Sequence, residues 1–128
     1  MDRKPILSLD FDGVCHSYTS KWVAPDVIPD PPVPGMWEFL EEAVKSFRVQ
    51  IYSTRSETVA GRAAMQNWFF HHSGGRYHGI CWMLGFPLTK PKAFVGLDDR
   101  ILTFEGKWPW MEILRNWRPW NKREPQNG

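Results

Sequence analysis

Residues 6–14 read ILSLDFDGV, and this stretch decides the expected fold. The segment 6–11 is apolar enough to be typical of a strand buried on both faces, as the central strands of parallel sheets are. Asp10 and Asp12 share one side of that strand, because successive residues point to opposite faces, and Gly13 allows a sharp turn just past them. Two carboxylates so close repel each other unless a cation or a shared proton intervenes. The pair therefore indicates a metal site, with a solvated Asp-Gly turn as the alternative.

The composition bounds the class of protein. The chain has 128 residues, of which 42% are hydrophobic, so one domain with one core is expected. Its 16 Lys and Arg nearly balance its 14 Asp and Glu, which gives no general attraction to nucleic acid or to membranes. Cys15 and Cys81 are too few for a disulfide framework, and no early apolar stretch is long enough for a signal peptide or a membrane span. We therefore expect a cytoplasmic protein without a membrane partner.

The hydrophobic pattern predicts an alternation of strands and helices. The predicted elements are strands at 6–11, 48–52, 80–84 and 93–97, and helices at 36–47, 57–71 and 109–117. Five prolines within residues 25–34 exclude regular helix, so residues 13–34 are expected to form a flap over the site. Residues 121–128 are expected to form a frayed tail. The alternation predicts a single α/β domain over residues 1–128, with three layers and a mainly parallel central sheet.

Polar side chains follow the predicted strands at their carboxyl ends. They are Asp10 and Asp12, Ser53 and Thr54, and Asp98 and Asp99. In open α/β sheets the ligand crevice lies beyond these ends, so we expect the six side chains to converge there. Carboxylates gathered in one crevice repel each other, and a hard divalent cation, most naturally Mg²⁺, relieves the repulsion. Such a cation keeps positions open for a phosphate oxygen, and Lys90 and Ser53 would neutralise and fix the phosphoryl group.

Four segments, in this order, resemble the four motifs of the haloacid dehalogenase-like (HAD) superfamily. They are Asp10-Phe11-Asp12-Gly13-Val14, Ile51-Tyr52-Ser53, Lys90 and Asp98-Asp99. The match spans residues 6–100 and implies a three-layer, Rossmann-like, HAD-like fold. A closing pattern further resembles small, uncharacterised HAD-like hydrolases of bacteria and their phages. This pattern is Lys90-Pro91, Asp98-Asp99-Arg100 and Phe104-Glu105-Gly106.

The resemblance implies a magnesium-dependent phosphatase. Asp10 would be the nucleophile that forms an aspartyl-phosphate, and Asp12 would act first as acid and then as base. Asp98 would bind Mg²⁺ together with the Asp10 carboxylate and the main-chain carbonyl of Asp12. Asp99 would join the metal shell through water or orient its ligands. An aspartate as the first residue of the doublet favours a phosphatase over a dehalogenase.

The resemblance also implies how the phosphate is held and which substrates enter. Ser53 and Lys90 would bind the phosphoryl group, with Thr54 and Lys92 as neighbouring substitutes. His16 lies near these motifs, as does Arg55, and each is expected either to touch substrate or to face solvent. The chain leaves no room for the cap domain that many HAD-like enzymes carry. The resemblance to capless members implies an open crevice, which suits a phosphate at the end of a macromolecule, or a site closed by the flap or by a neighbouring subunit.

Several alternatives stay open at this point. A phosphatase acting on nucleic-acid ends is one, because cations and aromatics interleave over residues 107–123, although their packing as a helix on the sheet is the simpler interpretation. A non-catalytic HAD-like module that binds phosphate or a partner is another. A bacterial receiver domain is disfavoured. Receiver domains place their acidic pair early and their lysine last, whereas here the pair Asp98-Asp99 follows Lys90. His71, His72, His78 and Cys81 lack the spacing of zinc ligands and are expected at a helix end and loop.

Overall fold

Three short parallel strands form the sheet, and the strand that comes first in the sequence lies at its centre. The computed structural model describes residues 4–93, 95–97, 106–109 and 111–116. Within them, β1 is Ile6–Leu9, β2 is Arg48–Ile51 and β3 is Val95–Leu97, in the order β2-β1-β3. Leu7 of β1 lies opposite Val49 on one side and Val95 on the other. The α/β class and the parallel sheet are confirmed, whereas the three-layer arrangement stays a prediction.

Helices are described in each of the three segments predicted to be helical, together with two short helices that were not predicted. They are α1 (Met36–Ser46), a 3₁₀ helix (Thr54–Glu57), α2 (Val59–His72), α3 (His78–Cys81) and α4 (Met111–Arg115). Helix α1 forms because its apolar side chains recur on one face, and that face is buried. It begins after Gly35, whose φ of 89° is a left-handed conformation that glycine adopts without strain. A side chain at this position would also meet the ring of Trp108 at 3.0 Å.

One predicted strand is wrong. Residues 80–84 do not form a strand, because Ile80 and Cys81 belong to helix α3. A short apolar run does not distinguish a buried strand from a buried helical turn, and here the helical turn buries the same two side chains. The sheet gains only a single bridge from this region, at Gly85. Its carbonyl accepts from the Ile51 amide at 2.8 Å, and its amide donates to the Val49 carbonyl at 2.9 Å.

The core surrounds β1 and continues past its end. Leu7, Leu9 and Phe11 are fully buried. The ring of Phe11 packs edge-on against Trp68 and Phe69 of α2, at centroid distances of 5.0 and 5.8 Å. Helix α2 therefore covers the segment that leaves β1, which is the segment carrying the two predicted catalytic carboxylates.

The flap, residues 13–34, is irregular, and its two ends lie side by side. Ser17 donates its amide to the Pro31 carbonyl at 3.0 Å, and Val33 donates to the Cys15 carbonyl at 2.8 Å. The predicted tail, residues 121–128, lies outside the described residues. No helix in the described part of the chain has the length and apolar character needed to cross a membrane.

Candidate functional site

The carboxyl ends of the three strands meet at Asp10. Its amide donates to the carbonyl of Leu97, the last residue of β3, at 3.2 Å. On the other side, the amide of Tyr52, just past β2, donates to the carbonyl of Leu9 at 3.0 Å. The last residue of β3 and the residue just past β2 therefore both lie beside the start of the segment that carries Asp10. The strand ends thus lie together as expected of an open parallel sheet, whereas the convergence of the six predicted side chains, which include Asp98 and Asp99, stays a prediction.

The Asp10 side chain is half-buried at this edge. Its Oδ1 atom accepts a hydrogen bond from the Phe11 amide at 2.7 Å. The Cys15 thiol lies 3.6 Å from the Asp10 carbonyl oxygen and is completely buried. Burial, followed by the charges of Asp10 and Asp12, raises the pKa of the Cys15 thiol far above its ordinary value. Cys15 therefore remains a neutral thiol at physiological pH, which fits a small packing residue rather than a reactive one.

Asp12 is held by two buried side chains, Arg55 and His16, that belong to none of the four HAD-like motifs. Arg55 Nε donates to both carboxylate oxygens of Asp12, at 3.1 and 3.0 Å. His16 Nδ1 lies 2.9 Å from Oδ1 of the same carboxylate. Both partners are fully buried, while the Asp12 side chain keeps 16% of its exposure. The carboxylate is thus fixed from the inside and open on one side.

The tautomer of His16 follows from its second contact. The Asp30 amide donates to His16 Nε2 at 3.1 Å, so Nε2 is the acceptor nitrogen. The proton of the neutral ring is then on Nδ1, from which it is donated to Asp12. Asp30 itself is fixed by Ser20, whose hydroxyl and amide donate to its carboxylate at 2.6 and 2.7 Å. These hydrogen bonds hold the pKa of Asp30 below its ordinary value, against an opposing effect of burial.

Arg55 also reaches the flap. Its Nη1 atom donates to three flap carbonyls, those of Ala24 and Pro25 at 2.9 Å and that of Val27 at 3.1 Å. The guanidinium carbon lies 4.6 Å from the centre of the Trp22 ring. Burying this cation is costly unless its donors are paired, and here Nε and Nη1 make five hydrogen bonds. The side chain thus links the predicted catalytic carboxylate to the predicted flap.

The backbone of Arg55 is set by its neighbours in the sequence. Ser53 Oγ caps the 3₁₀ helix by accepting from the Arg55 amide at 3.0 Å, and Ser56 Oγ accepts from the Ser53 amide at 3.1 Å. Gly61, in the first turn of α2, packs directly on this helix. A Cβ atom on Gly61 would lie 2.0 Å from the Arg55 carbonyl oxygen. Only a glycine permits so close an approach of the two backbones.

The predicted phosphate-binding residues differ in their surroundings. Ser53 is buried, and its hydroxyl contacts Met65 Sδ at 3.8 Å in addition to capping the 3₁₀ helix. Thr54, one residue later, is exposed. Lys90 and Lys92 are both exposed on the irregular segment that leads to β3. Both lysines therefore stay candidates for the phosphate-binding residue.

The predicted metal site is described only in part. Asp10 and Asp12 are described, whereas Asp98 and Asp99 lie outside the described residues and come directly after Leu97 in the sequence. Among the described residues, no group of three or more His, Cys, Asp or Glu side chains is placed to hold a metal ion. The magnesium site stays a prediction.

The structure describes residues that bear on two other expectations, those for the histidines and for the C-terminal region. His71 and His72 end helix α2 and His78 begins α3, as expected of residues at a helix end and loop. In the C-terminal region, Leu114 is fully buried and Trp108 stacks on Phe39 at 4.5 Å, in accord with packing of this region on the core. Most of its other tryptophans and arginines lie outside the described residues.

The sequence interpretation missed the role of His16 and Arg55. It considered contact with substrate or exposure to solvent, and both side chains are instead fully buried against Asp12. The signal that would have found Arg55 is its position two residues past Ser53, at the end of the strand next to Asp12. In comparisons of the chain with protein-family models, curated proteins and solved structures, nothing matches.

Proposed function

We propose that this chain is a magnesium-dependent phosphomonoesterase that forms an aspartyl-phosphate on Asp10. The observation that carries the proposal is the position of Asp10, directly past the central strand and beside the ends of both neighbouring strands. Parallel α/β sheets bind their ligands at this edge. The resemblance of four segments to the HAD motifs supplies the reaction. A three-layer, Rossmann-like, capless fold is part of the same proposal.

The proposed reaction has two steps at phosphorus. A carboxylate oxygen of Asp10 attacks phosphorus, and the bond from phosphorus to the ester oxygen breaks. The departing alkoxide takes a proton from Asp12, which acts as the acid in its protonated form and becomes the carboxylate that Arg55 pairs. Water then attacks the aspartyl-phosphate at phosphorus and gives its proton to Asp12, which releases inorganic phosphate and restores the Asp10 carboxylate. The open side of Asp12 is where these protons would pass.

The expected magnesium donors are all oxygen atoms, which a hard cation prefers. They would be the carboxylates of Asp10 and Asp98 and the main-chain carbonyl of Asp12, and Asp99 would either join through water or orient these ligands. A half-buried Asp10 fits this use, because its carboxylate stays within reach of an ion at the sheet edge. When bound, the ion offsets the negative charge that develops on the phosphoryl oxygens.

The phosphoryl group would also be held by one lysine and one hydroxyl. Lys90 or Lys92 would neutralise its charge, and Ser53 or Thr54 would donate to its oxygens. We place the activity in the reducing cytoplasm, because both cysteines of the chain are buried free thiols.

A non-catalytic module that binds phosphate or a partner is the second candidate. The observation that favours it is that two predicted catalytic-site side chains already have structural partners. The Asp12 carboxylate accepts from Arg55 and His16, and the Ser53 hydroxyl caps a helix. A site of this kind can keep its geometry without turnover.

The experiment that separates the candidates is a phosphate-release assay with Asp10→Asn as the test variant. We expect the wild-type protein to hydrolyse phosphomonoesters with Mg²⁺, and to lose this activity on chelation of the metal. Asp10→Asn removes the nucleophile and should abolish activity, whereas Asp26→Asn, the same change at an exposed carboxylate of the flap, should not. Asp12 is a poor first target, because its replacement also leaves the buried Arg55 without its counter-charge.

Two further measurements complete the test. Rapid acid quenching with labelled substrate should trap the label on Asp10, and hydroxylamine should release it, as expected of an acyl phosphate. No phosphate release from a broad panel, together with binding of inorganic phosphate, would instead establish the binding module. Comparing mononucleotides with phosphate-terminated oligonucleotides tests the alternative of a nucleic-acid-end phosphatase.

A further inference from the structure

Arg55 holds two different regions of the molecule with two ends of one rigid group. Its Nε atom donates to Asp12, and its Nη1 atom donates to the flap carbonyls of Ala24, Pro25 and Val27. The guanidinium group is planar, so its donors keep a fixed geometry relative to one another. A displacement of the flap carbonyls therefore displaces the partner of the Asp12 carboxylate.

Aromatic rings hold the guanidinium group in this position. Its carbon lies 4.6 Å from the ring centre of Trp22 and 5.9 Å from that of Phe11. The third nitrogen, Nη2, is buried without a hydrogen-bond partner among the described residues. A buried donor without a partner costs free energy, so the five hydrogen bonds of Nε and Nη1 must offset that cost.

A second link runs from Asp12 to the other end of the flap. His16 donates to Asp12 through Nδ1 and accepts from the Asp30 amide through Nε2. The Asp30 carbonyl in turn accepts from the indole of Trp68 at 2.9 Å. Asp12 is thus joined to the flap on two sides, at residues 24–27 through Arg55 and at Asp30 through His16.

We infer that Arg55 is a positioning residue that couples attachment of the flap to the orientation of Asp12. The inference rests on the proposed function, in which Asp12 is the acid and base. With the flap attached, the Asp12 carboxylate is fixed with its open side outward. When the flap detaches, Arg55 loses three acceptors, and Asp12 loses the orientation of its main donor. In this role Arg55 acts through Asp12, which is the group that exchanges the proton.

The test compares Arg55→Lys with Arg48→Lys. A lysine ammonium keeps the charge but cannot donate to Asp12 and to three carbonyls in the same fixed geometry. Arg48 is an exposed arginine at the start of β2, and its Nε donates to the Lys4 carbonyl at 3.0 Å, so it controls for the chemical change alone. Two readouts are taken on each variant, namely amide hydrogen exchange across the flap and steady-state kinetics with a phosphomonoester and Mg²⁺.

We expect Arg55→Lys to speed amide exchange at Val27 and Val33 by about tenfold or more, since hydrogen bonds to a charged group are lost. Exchange at Leu9, in the centre of the sheet, should stay unchanged. In the kinetic assay kcat should fall by roughly 100-fold, because a displaced catalytic group loses its alignment, while KM changes little. Arg48→Lys should leave both readouts as in the wild type.

The outcomes distinguish this inference from the proposed function. If the wild-type protein does not turn over, the proposed function fails, and the catalytic part of the inference fails with it. If the wild type turns over and Arg55→Lys keeps its kcat, or if flap exchange is unchanged in Arg55→Lys, the coupling is overturned. Should Arg55→Lys not fold, Trp22→Ala replaces it, because Trp22 is 44% exposed and its loss leaves every Arg55 hydrogen-bond partner in place. That variant should change both readouts in the same direction by a smaller factor, and unchanged readouts would overturn the coupling.

Discussion

Two irregular segments of the molecule are held in very different ways. The flap, residues 13–34, is fixed by buried polar side chains that reach it from the 3₁₀ helix and α2, and by His16 within the flap itself. The segment 86–93 leads to β3 with Leu88, Thr89 and Lys90 exposed. Its described anchor to the core is the ring of Phe86, which packs edge-on against Phe69. The comparison teaches that buried side chains from distant elements, rather than prolines alone, fix an irregular backbone.

The largest expected effect on stability comes from removing Asp12, the counter-charge of Arg55, which is the side chain that holds the flap. Asp12→Ala leaves Arg55 buried and uncompensated, and we expect a loss of about 3–5 kcal/mol in the free energy of unfolding. Lys90→Ala, in the exposed segment, should stay within about 0.5 kcal/mol of the wild type. Urea denaturation of both variants measures the difference.

A double variant sharpens this prediction. Asp12→Ala combined with Arg55→Met removes both charges, so the unfolding free energy should recover much of the loss, because no unpaired ion is left in the interior. Destabilisation by Asp12→Ala alone of less than about 1 kcal/mol would contradict the description of Arg55 as a buried cation that depends on Asp12.

Two helical glycines give effects of opposite sign. Gly61→Ala places a methyl group 2.0 Å from the Arg55 carbonyl oxygen, so the backbone that carries the anchor must shift. We expect a destabilisation of about 1–3 kcal/mol, even though alanine is the better helix former. Gly79→Ala, in α3, meets no atom within 4 Å and should stabilise the protein by up to about 1 kcal/mol. Thermal unfolding of the pair provides the measurement, and a shift of the same sign in both would disprove the close approach at Gly61.

Trp68 and Trp82 offer a matched pair of aromatic substitutions. Trp68→Phe keeps an aromatic ring in the core but leaves the Asp30 carbonyl without its indole donor, which should cost about 1–3 kcal/mol. Trp82 is 79% exposed, and Trp82→Phe should change stability by less than about 0.5 kcal/mol. Equal effects in denaturant titrations of the two variants would show that the indole of Trp68 contributes packing alone.

The smallest effect is a pH dependence that arises in the flap. Hydrogen bonds from Ser20 hold the pKa of Asp30 below its ordinary value, so the folded state binds the proton less readily than the unfolded state. The stabilisation that the ionised Asp30 contributes is therefore complete above the ordinary carboxyl pKa of about 4. It is lost as the pH falls through the lower pKa of Asp30 in the folded state. Asp30→Asn should remove this loss of unfolding free energy at acid pH, and Ser20→Ala should make the loss smaller. A loss in Asp30→Asn identical to that of the wild type would refute the assignment.

The sequence predicts those parts of the fold that depend on local pattern. Helix α1 lies within one residue of its expected range, and all three strands of the sheet fall within predicted segments. The exception, residues 80–84, is a short apolar run whose period does not separate helix from strand. The position of Asp10 is predictable for the same reason as the strands, because it follows directly from the end of a buried segment.

The anchors of the candidate site are less predictable. Arg55 and Asp12 lie 43 residues apart in the sequence, and the acceptors of Nη1 are main-chain carbonyls, which carry no signature in the residue types. His16 shows the same difficulty, since one of its two partners is the amide of Asp30. Side-chain contacts with a distant backbone are set by tertiary packing and not by local pattern.

The central place of β1 in the sheet has a consequence for the order in which the molecule assembles during synthesis. The chain makes β1 first, but one of its hydrogen-bonding edges is paired only when Val95–Leu97 has been made. Until then the apolar strand keeps an open edge, which is a template for association with other chains. Nascent chains that stop before Val95 should therefore depend on chaperones to a degree that the complete β3 removes.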